Sequence, residues 1–133
     1  MNRCPGTTSA LPTFVIQTGG YDAGVAANAV PVHKTTHAAI TLEDNAGLSN
    51  TTLAVAMART GIADSATLEF FINLADNLNL NRSATARGYA VFGSRTGGAN
   101  VVTAMKAAPC MAALVSECLP IPNLVITSAT QTQ

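Results

Sequence analysis

Charged residues are scarce in this chain. Asp, Glu, Lys and Arg make up 11% of its 133 residues, whereas about 25% is usual for globular domains. Seven basic residues balance seven acidic ones and form no cluster. Because nucleic-acid-binding proteins carry a basic patch or stripe, this composition argues against a nucleic-acid partner. The shortage is greatest after Gly97, where Lys106 and Glu117 are the charged residues that remain. It indicates either sequence drift or a surface that a partner chain covers.

Long apolar runs are also missing. No segment approaches the ~18–20 apolar residues of a membrane span, and residues 1–9 lack the apolar core of a secretory signal. We therefore expect no membrane partner and a cytoplasmic location, or a periplasmic one if a signal precedes this chain. Of the three cysteines, Cys110 and Cys118 could bridge if a turn joined them, but nothing requires it.

The chain does contain short segments of β-branched and aromatic residues separated by turn residues. A long structured loop is expected over residues 21–50. The predicted strands cover residues 13–17, 53–58, 69–74, 88–93 and 123–128. Short strands with turn signals and little helix favour a β-sandwich or a β-barrel.

One helix is predicted over residues 100–107. Asn100 is a suitable N-cap, and Val101, Val102 and Met105 would share one face. Pro109 would end the helix, and Gly97-Gly98 would form the turn before it rather than a phosphate-binding loop.

Several segments in a fixed order carry a resemblance to a known family. They are PTFVIQTGG (12–20), GLSN (47–50), AMART (56–60), DSAT (64–67), FFIN (70–73), GYAVFG (88–93) and LVITSA (124–129). Together they resemble the cyclophilins, the peptidyl-prolyl cis-trans isomerases of β-barrel fold, and most of all the bacterial branch. Residues 11–129 would form the cyclophilin-like domain, after a divergent segment (1–10) and before a polar tail (130–133).

The resemblance implies an antiparallel barrel of eight strands with two helices. The first two strands and the first helix have no counterpart here, so the barrel would be N-terminally truncated and retain one short helix. Unpaired strand edges invite association, which makes a partner chain over the open edges one expectation.

The resemblance also implies a binding site for proline-containing segments, without a cofactor. Gln17 matches the family glutamine that holds substrate and the catalytic arginine. The positions that match the proline pocket and the groove beside it are Phe14, Met57, Ala58, Arg59, Thr60, Glu69, Phe71, Leu80 and Tyr89. Phe71 and Leu80 would look the same as ordinary core residues, and Tyr89 is as compatible with packing as with substrate contact.

Three departures bear on activity. Ser9 stands where the family has its catalytic arginine, Glu69 replaces a glutamine, and Asn79 replaces an aromatic residue of the pocket rim. A hydroxyl donates one neutral hydrogen bond, whereas a guanidinium donates several charge-assisted ones. Arg3 and Arg59 are poorly placed to replace the missing group.

Other site types are disfavoured. His33 and His37 have the spacing of a metal pair on a helix, but Pro31, Thr35 and Thr36 argue against a helix there. Two hypotheses remain: a cyclophilin-type isomerase of protein folding with weak or absent activity, and a non-catalytic proline-peptide-binding module or assembly subunit.

Overall fold

A computed structural model describes residues 14–22, 32–114, 117–120 and 124–130. In these ranges the elements are β1 (Val15–Thr18), β2 (Ala54–Met57), β3 (Phe70–Asn73), β4 (Val91–Ser94), α1 (Ala99–Ala107), β5 (Cys110–Leu114) and β6 (Glu117–Pro120), with a 3-10 turn, Leu78–Leu80, after β3. The prediction of a mainly β fold with one short α-helix is confirmed. The described residues contain no helix that is long and apolar enough to cross a membrane.

Four strands form one antiparallel sheet in the order β1-β3-β2-β4. Within the described residues β1 and β4 are therefore its two ends. Phe71 in the middle of the sheet pairs with Gln17 on one side and with Ala56 on the other. Because directly opposed residues project to the same face of a sheet, these three side chains share one face.

The core lies on this face. Ala56 is fully buried, and Val15, Ala54 and Phe71 are 3–4% exposed. Small alanines at alternate positions of β2 leave room for the ring of Phe71. The opposite face is less covered, because Val55, Met57, Phe70 and Ile72 are only partly buried and Phe92 is 57% exposed.

The fourth strand starts later than predicted. Gly88 and Tyr89 pack against the 3-10 turn and the residues after it instead of extending the strand, and the Tyr89 N–H donates to the Leu80 carbonyl at 2.9 Å. A Cβ at Gly88 would lie 2.3 Å from the Arg82 nitrogen, so this close approach requires glycine.

The helix exists, but its cap differs from the prediction. Gly98, with φ 71° and ψ 37°, occupies the N-cap, and Asn100 lies inside α1. The predicted capping role of Asn100 is therefore wrong, because a left-handed glycine turn starts the helix one residue earlier. Val102 is buried, whereas Val101 is 55% exposed, so Val101 does not belong to the packed face.

The C-terminal part differs most. The strand predicted over residues 123–128 is wrong for its described part, since residues 124–128 form no strand. Leu124, Val125 and Ile126 are about half exposed, and β-branched side chains form a strand only where a partner strand accepts them. The hairpin β5–β6 was not predicted; its register sets Cys110 opposite Pro120 and Cys118 opposite Ala112.

The expected long loop is partly described. Residues 32–50 contain no helix or strand beyond isolated bridges, one of which pairs Tyr21 with His33. Residues 23–31 lie outside the described ranges.

Candidate functional site

An apolar cluster forms around Phe71. This ring is 4% exposed and packs with Val15, Ala56 and Ala58, and the partly buried side chains of Phe14, Leu80, Tyr89 and Val91 lie against that group. The rings of Phe71 and Tyr89 meet edge to face, with centroids 5.7 Å apart, which is a favourable aromatic geometry. Five of the residues that the sequence assigns to substrate binding thus meet in one place: Phe14, Ala58, Phe71, Leu80 and Tyr89.

Three members of this cluster were missed by sequence reasoning. Val15 and Ala56 lie on the same sheet face as Phe71, and Val91 pairs with Ala56. The strict alternation of β2, with buried Ala54 and Ala56, was a signal that could have identified Ala56.

A chain of buried asparagines supports the cluster and was also missed. Asn73 and Asn50 are fully buried, and the Asn73 amide donates to Asn50 Oδ1 at 3.1 Å. Asn77 Nδ2 donates to Asn73 Oδ1 and to the Phe14 carbonyl, both at 2.8 Å. Asn50 Nδ2 lies 3.3 Å from the Tyr89 carbonyl. These amides therefore tie the backbones of two cluster residues to the inside of the sheet.

Arg59 closes one side of the cluster. Its guanidinium donates to the carbonyls of Gly88, Thr60 and Arg87 at 2.9–3.0 Å, and its Cζ lies 4.5 Å from the centre of the Tyr89 ring. Such cation–π contacts contribute about 0.5–1 kcal/mol at exposed sites. Among the described residues, the backbone N–H and C=O of Arg59 have no hydrogen-bond partner, so both remain available to an extended peptide.

Asp44 anchors the segment that Arg59 binds. Both of its carboxylate oxygens accept hydrogen bonds from Arg87 at 2.9 Å, and one also accepts the Gly88 N–H at 2.8 Å. Arg82 adds a further contact at 3.1 Å. The Arg87 guanidinium, aided by these donors, holds the pKa of Asp44 well below its ordinary value of 3.8.

A polar group also borders the cluster. Gln17 Nε2 donates to Glu69 Oε2 at 2.7 Å, and Glu69 Oε1 lies 3.1 Å from His33 Nε2. Glu69 precedes Phe71 by two residues, and its carbonyl accepts the Ala58 N–H at 2.9 Å. The two residues at which the sequence places substrate handling, Gln17 and Glu69, are therefore in direct contact beside Phe71.

The remaining predicted residues lie apart from the cluster. Met57 pairs with Phe70 and so belongs to the opposite face of the sheet, because neighbouring residues of a strand project to opposite sides. Thr60 is exposed and is not a member of the cluster. Its N–H and its hydroxyl both donate hydrogen bonds to the Ser65 hydroxyl oxygen. Ser9 and Arg3 lie outside the described ranges.

Three other residues discussed above are exposed at the surface. Asn79 lies in the 3-10 turn, and His33 and His37 lie in the loop before β2. In the described part of the chain, no group of three or more His, Cys, Asp or Glu is arranged to hold a metal ion.

The arrangement is an apolar surface bordered by an amide and a carboxylate and, among the described residues, by the unpaired backbone groups of Arg59. Such a surface suits a small apolar ring within a peptide. Residues 7–131 match the family described as cyclophilin type peptidyl-prolyl cis-trans isomerase/CLD. The chain belongs to this family.

Curated bacterial relatives support this family membership. A peptidyl-prolyl cis-trans isomerase of Acinetobacter baylyi is 48% identical over 92 residues, which cover 69% of this chain and 46% of the relative. Isomerase cyp18 of Streptomyces antibioticus is 40% identical over 90% of this chain and 70% of its own length. Isomerase B of Escherichia coli is 37% identical over 88% of this chain and 70% of its own length. The chain therefore spans between about half and 70% of these relatives.

Proposed function

We propose that this chain binds Xaa-Pro segments of proteins on the Phe71 cluster and catalyses their cis-trans isomerisation at a low rate. The observation that carries the proposal is the packing of Phe14, Leu80 and Tyr89 against the buried group that contains Phe71. These partly buried side chains offer an apolar surface to a pyrrolidine ring, and Gln17 stands next to it, opposite Phe71 in the register.

Binding would use the backbone as well as the ring. Among the described residues, the N–H and C=O of Arg59 are unpaired, and they lie next to Ala58, just beyond the end of β2. An extended peptide can pair with these groups through main-chain hydrogen bonds, and its proline then enters the neighbouring apolar surface. Asp44, Arg87 and Arg59 hold this segment in place through their chain of charge-assisted hydrogen bonds.

Catalysis requires a donor aimed at the prolyl nitrogen. Rotation about the peptide bond faces a barrier of about 18–20 kcal/mol, and the nitrogen lone pair localises as resonance is lost. Each arginine of the described ranges already has an oxygen partner: Arg59, Arg82, Arg87 and Arg95. Since the resemblance places Ser9 at the family's arginine position, we expect one such donor to be missing, which typically costs about 10²–10³ in rate.

A protease-coupled assay on an Ala-Pro-Phe peptide tests the proposal. We expect micromolar protein to raise the cis-to-trans rate above the uncatalysed one. A rate equal to the uncatalysed one, with the peptide still bound, would instead support the alternative of a non-catalytic proline-binding module.

One observation supports the alternative that this chain is a subunit of an assembly. The sheet face that carries Met57, Phe70 and Phe92 is only partly covered, with Phe92 57% exposed. Light scattering after size-exclusion chromatography distinguishes an assembly subunit from a chain that acts alone, since a stable folded monomer would contradict the subunit hypothesis.

A further inference from the structure

We infer that His33 is a positioning residue of this site: acting through the Glu69 carboxylate, it holds the Gln17 side-chain amide in one orientation beside Phe71. The inference deepens the proposed function and depends on it for its role in isomerisation. It starts from the continuous contacts His33 Nε2–Glu69 Oε1 at 3.1 Å and Glu69 Oε2–Gln17 Nε2 at 2.7 Å.

The carboxylate selects one end of the Gln17 amide. An ionised carboxylate can only accept hydrogen bonds, so it pairs with the NH₂ of Gln17 and not with its carbonyl oxygen. A glutamine at position 69 could pair with either end. Glu69 therefore directs the Gln17 carbonyl oxygen away from itself.

Two neighbours set the position of the carboxylate. His33 contacts it directly. Gly20 leaves space for it, because a Cβ at this position would lie 1.9 Å from Glu69 Oε1. The His33 segment is itself fixed, because the Lys34 N–H donates to the Gly20 carbonyl at 2.8 Å and the Asp22 N–H to the Val32 carbonyl at 2.9 Å.

The protonation of His33 strengthens this contact. Its Nδ1 lies 3.0 Å from the Lys34 carbonyl and its Nε2 faces Glu69. Both partners are acceptors, so making both hydrogen bonds requires an N–H on each ring nitrogen, which only the cationic imidazolium has. The Lys34 carbonyl first, and Glu69 with it, raise the pKa of His33 above its ordinary value of 6.5.

Other charged or titratable groups near this ring are few in the described segments. Tyr21 meets the His33 ring edge to face at 5.1 Å. Asp22 and Lys34 follow Tyr21 and His33 in the chain. In the described part of the chain, Glu69 is the residue that forms an ion pair with His33. Because the pKa is raised, the ion pair between His33 and Glu69 is complete in the acidic range and is lost as the pH rises through the pKa of folded His33, which leaves at most a neutral hydrogen bond and weakens the positioning.

Nuclear magnetic resonance of the ¹⁵N-labelled full chain tests the inference without needing catalysis. We expect the Gln17 side-chain NH₂ signals to shift with pH at the same midpoint as the His33 ring nitrogens. His33→Gln should abolish that shift, and Glu69→Gln should lower the His33 midpoint and also abolish it. His37→Gln, which changes the other exposed histidine of the same loop, should leave it intact.

Gln17 signals that stay constant with pH would overturn the inference, as would a shift that survives in His33→Gln. The isomerase assay separates this result from the proposed function. If the chain is active, its rate should fall as His33 deprotonates and this fall should vanish in His33→Gln. If the chain is inactive, the proposed isomerase function is contradicted, but the pH titration of the Gln17 signals still tests whether His33 positions Gln17.

Discussion

Asn77 donates its side-chain N–H to the backbone carbonyl of Phe14 at 2.8 Å. A nearly buried amide, 6% exposed, therefore fixes the backbone of a residue that lines the candidate proline pocket. The same carbonyl also accepts the Leu74 N–H at 3.1 Å. The cluster around Phe71 is thus held from inside the sheet by polar contacts and not by apolar packing alone.

Asn77→Ala should destabilise the fold. It removes two hydrogen bonds and leaves Asn73 Oδ1 without its Asn77 donor, which costs about 1–3 kcal/mol for a buried polar group. Asn79→Ala, two residues away and exposed, should change the free energy of unfolding by less than ~0.5 kcal/mol. Urea unfolding followed by circular dichroism measures both, since the chain has no Trp. Equal effects would contradict the structural role of the asparagine chain.

The stability of the fold should depend on Asp44 in acid. The pKa of Asp44 is lowered by Arg87 and its neighbours, so its contribution is complete above the ordinary value of 3.8 and is lost as the pH falls through the lower folded value. We expect the melting temperature to fall with acidification below about pH 4. Asp44→Asn should be less stable at neutral pH and show a shallower acid dependence.

The neighbouring exposed carboxylate provides the control. Glu43→Gln changes a residue that forms no ion pair within the described ranges, and it should keep the native pH profile. An unchanged profile in Asp44→Asn would show that the Arg87 contact contributes nothing to acid stability.

Gly20→Ala should displace Glu69. The new Cβ would come within 1.9 Å of Glu69 Oε1, and the carboxylate, at the end of a flexible side chain, can swing away more easily than the backbone can move. We expect a small loss of stability, below about 1 kcal/mol, together with altered Gln17 side-chain NH₂ signals. Gly61→Ala, where no heavy atom lies within 4 Å of the new Cβ, should leave those signals unchanged.

Leu80→Ala should weaken proline-peptide binding. Leu80 packs on the Phe71 cluster, and loss of apolar contact there should raise the dissociation constant about tenfold, equivalent to ~1.4 kcal/mol. Leu78→Ala changes a leucine of the same 3-10 turn that is 57% exposed and should bind normally. Isothermal titration with an Ala-Pro-Phe peptide measures both variants; equal affinities would place the binding surface elsewhere.

Much of the sheet could be predicted from sequence because its strands alternate around a buried face. Ala54 and Ala56 of β2 and Phe71 and Asn73 of β3 follow that pattern. Local propensity failed where tertiary contacts decided the outcome. Gly88 packs on the 3-10 turn and delays β4, and the apolar residues 124–126 have no strand to join among the described residues.

The candidate site shows the same limit. The sequence identified Phe14, Phe71 and Leu80 through the family resemblance, and these residues do meet. It could not identify His33 as a neighbour of Glu69, because 36 residues separate them and the contact depends on the bridge between Tyr21 and His33.

Exchange spectroscopy on an Ala-Pro-Phe peptide tests the central claim most directly, because it reports binding and isomerisation in the same sample. With the native chain, we expect the proline resonances to shift and weak cis-trans exchange cross-peaks to appear. Ser9→Arg should strengthen the cross-peaks, by up to about 10²-fold in rate, if it supplies a guanidinium donor at the position that the family resemblance assigns to the catalytic arginine. If neither protein shifts the proline resonances or produces cross-peaks, the Phe71 cluster is not a proline-binding site.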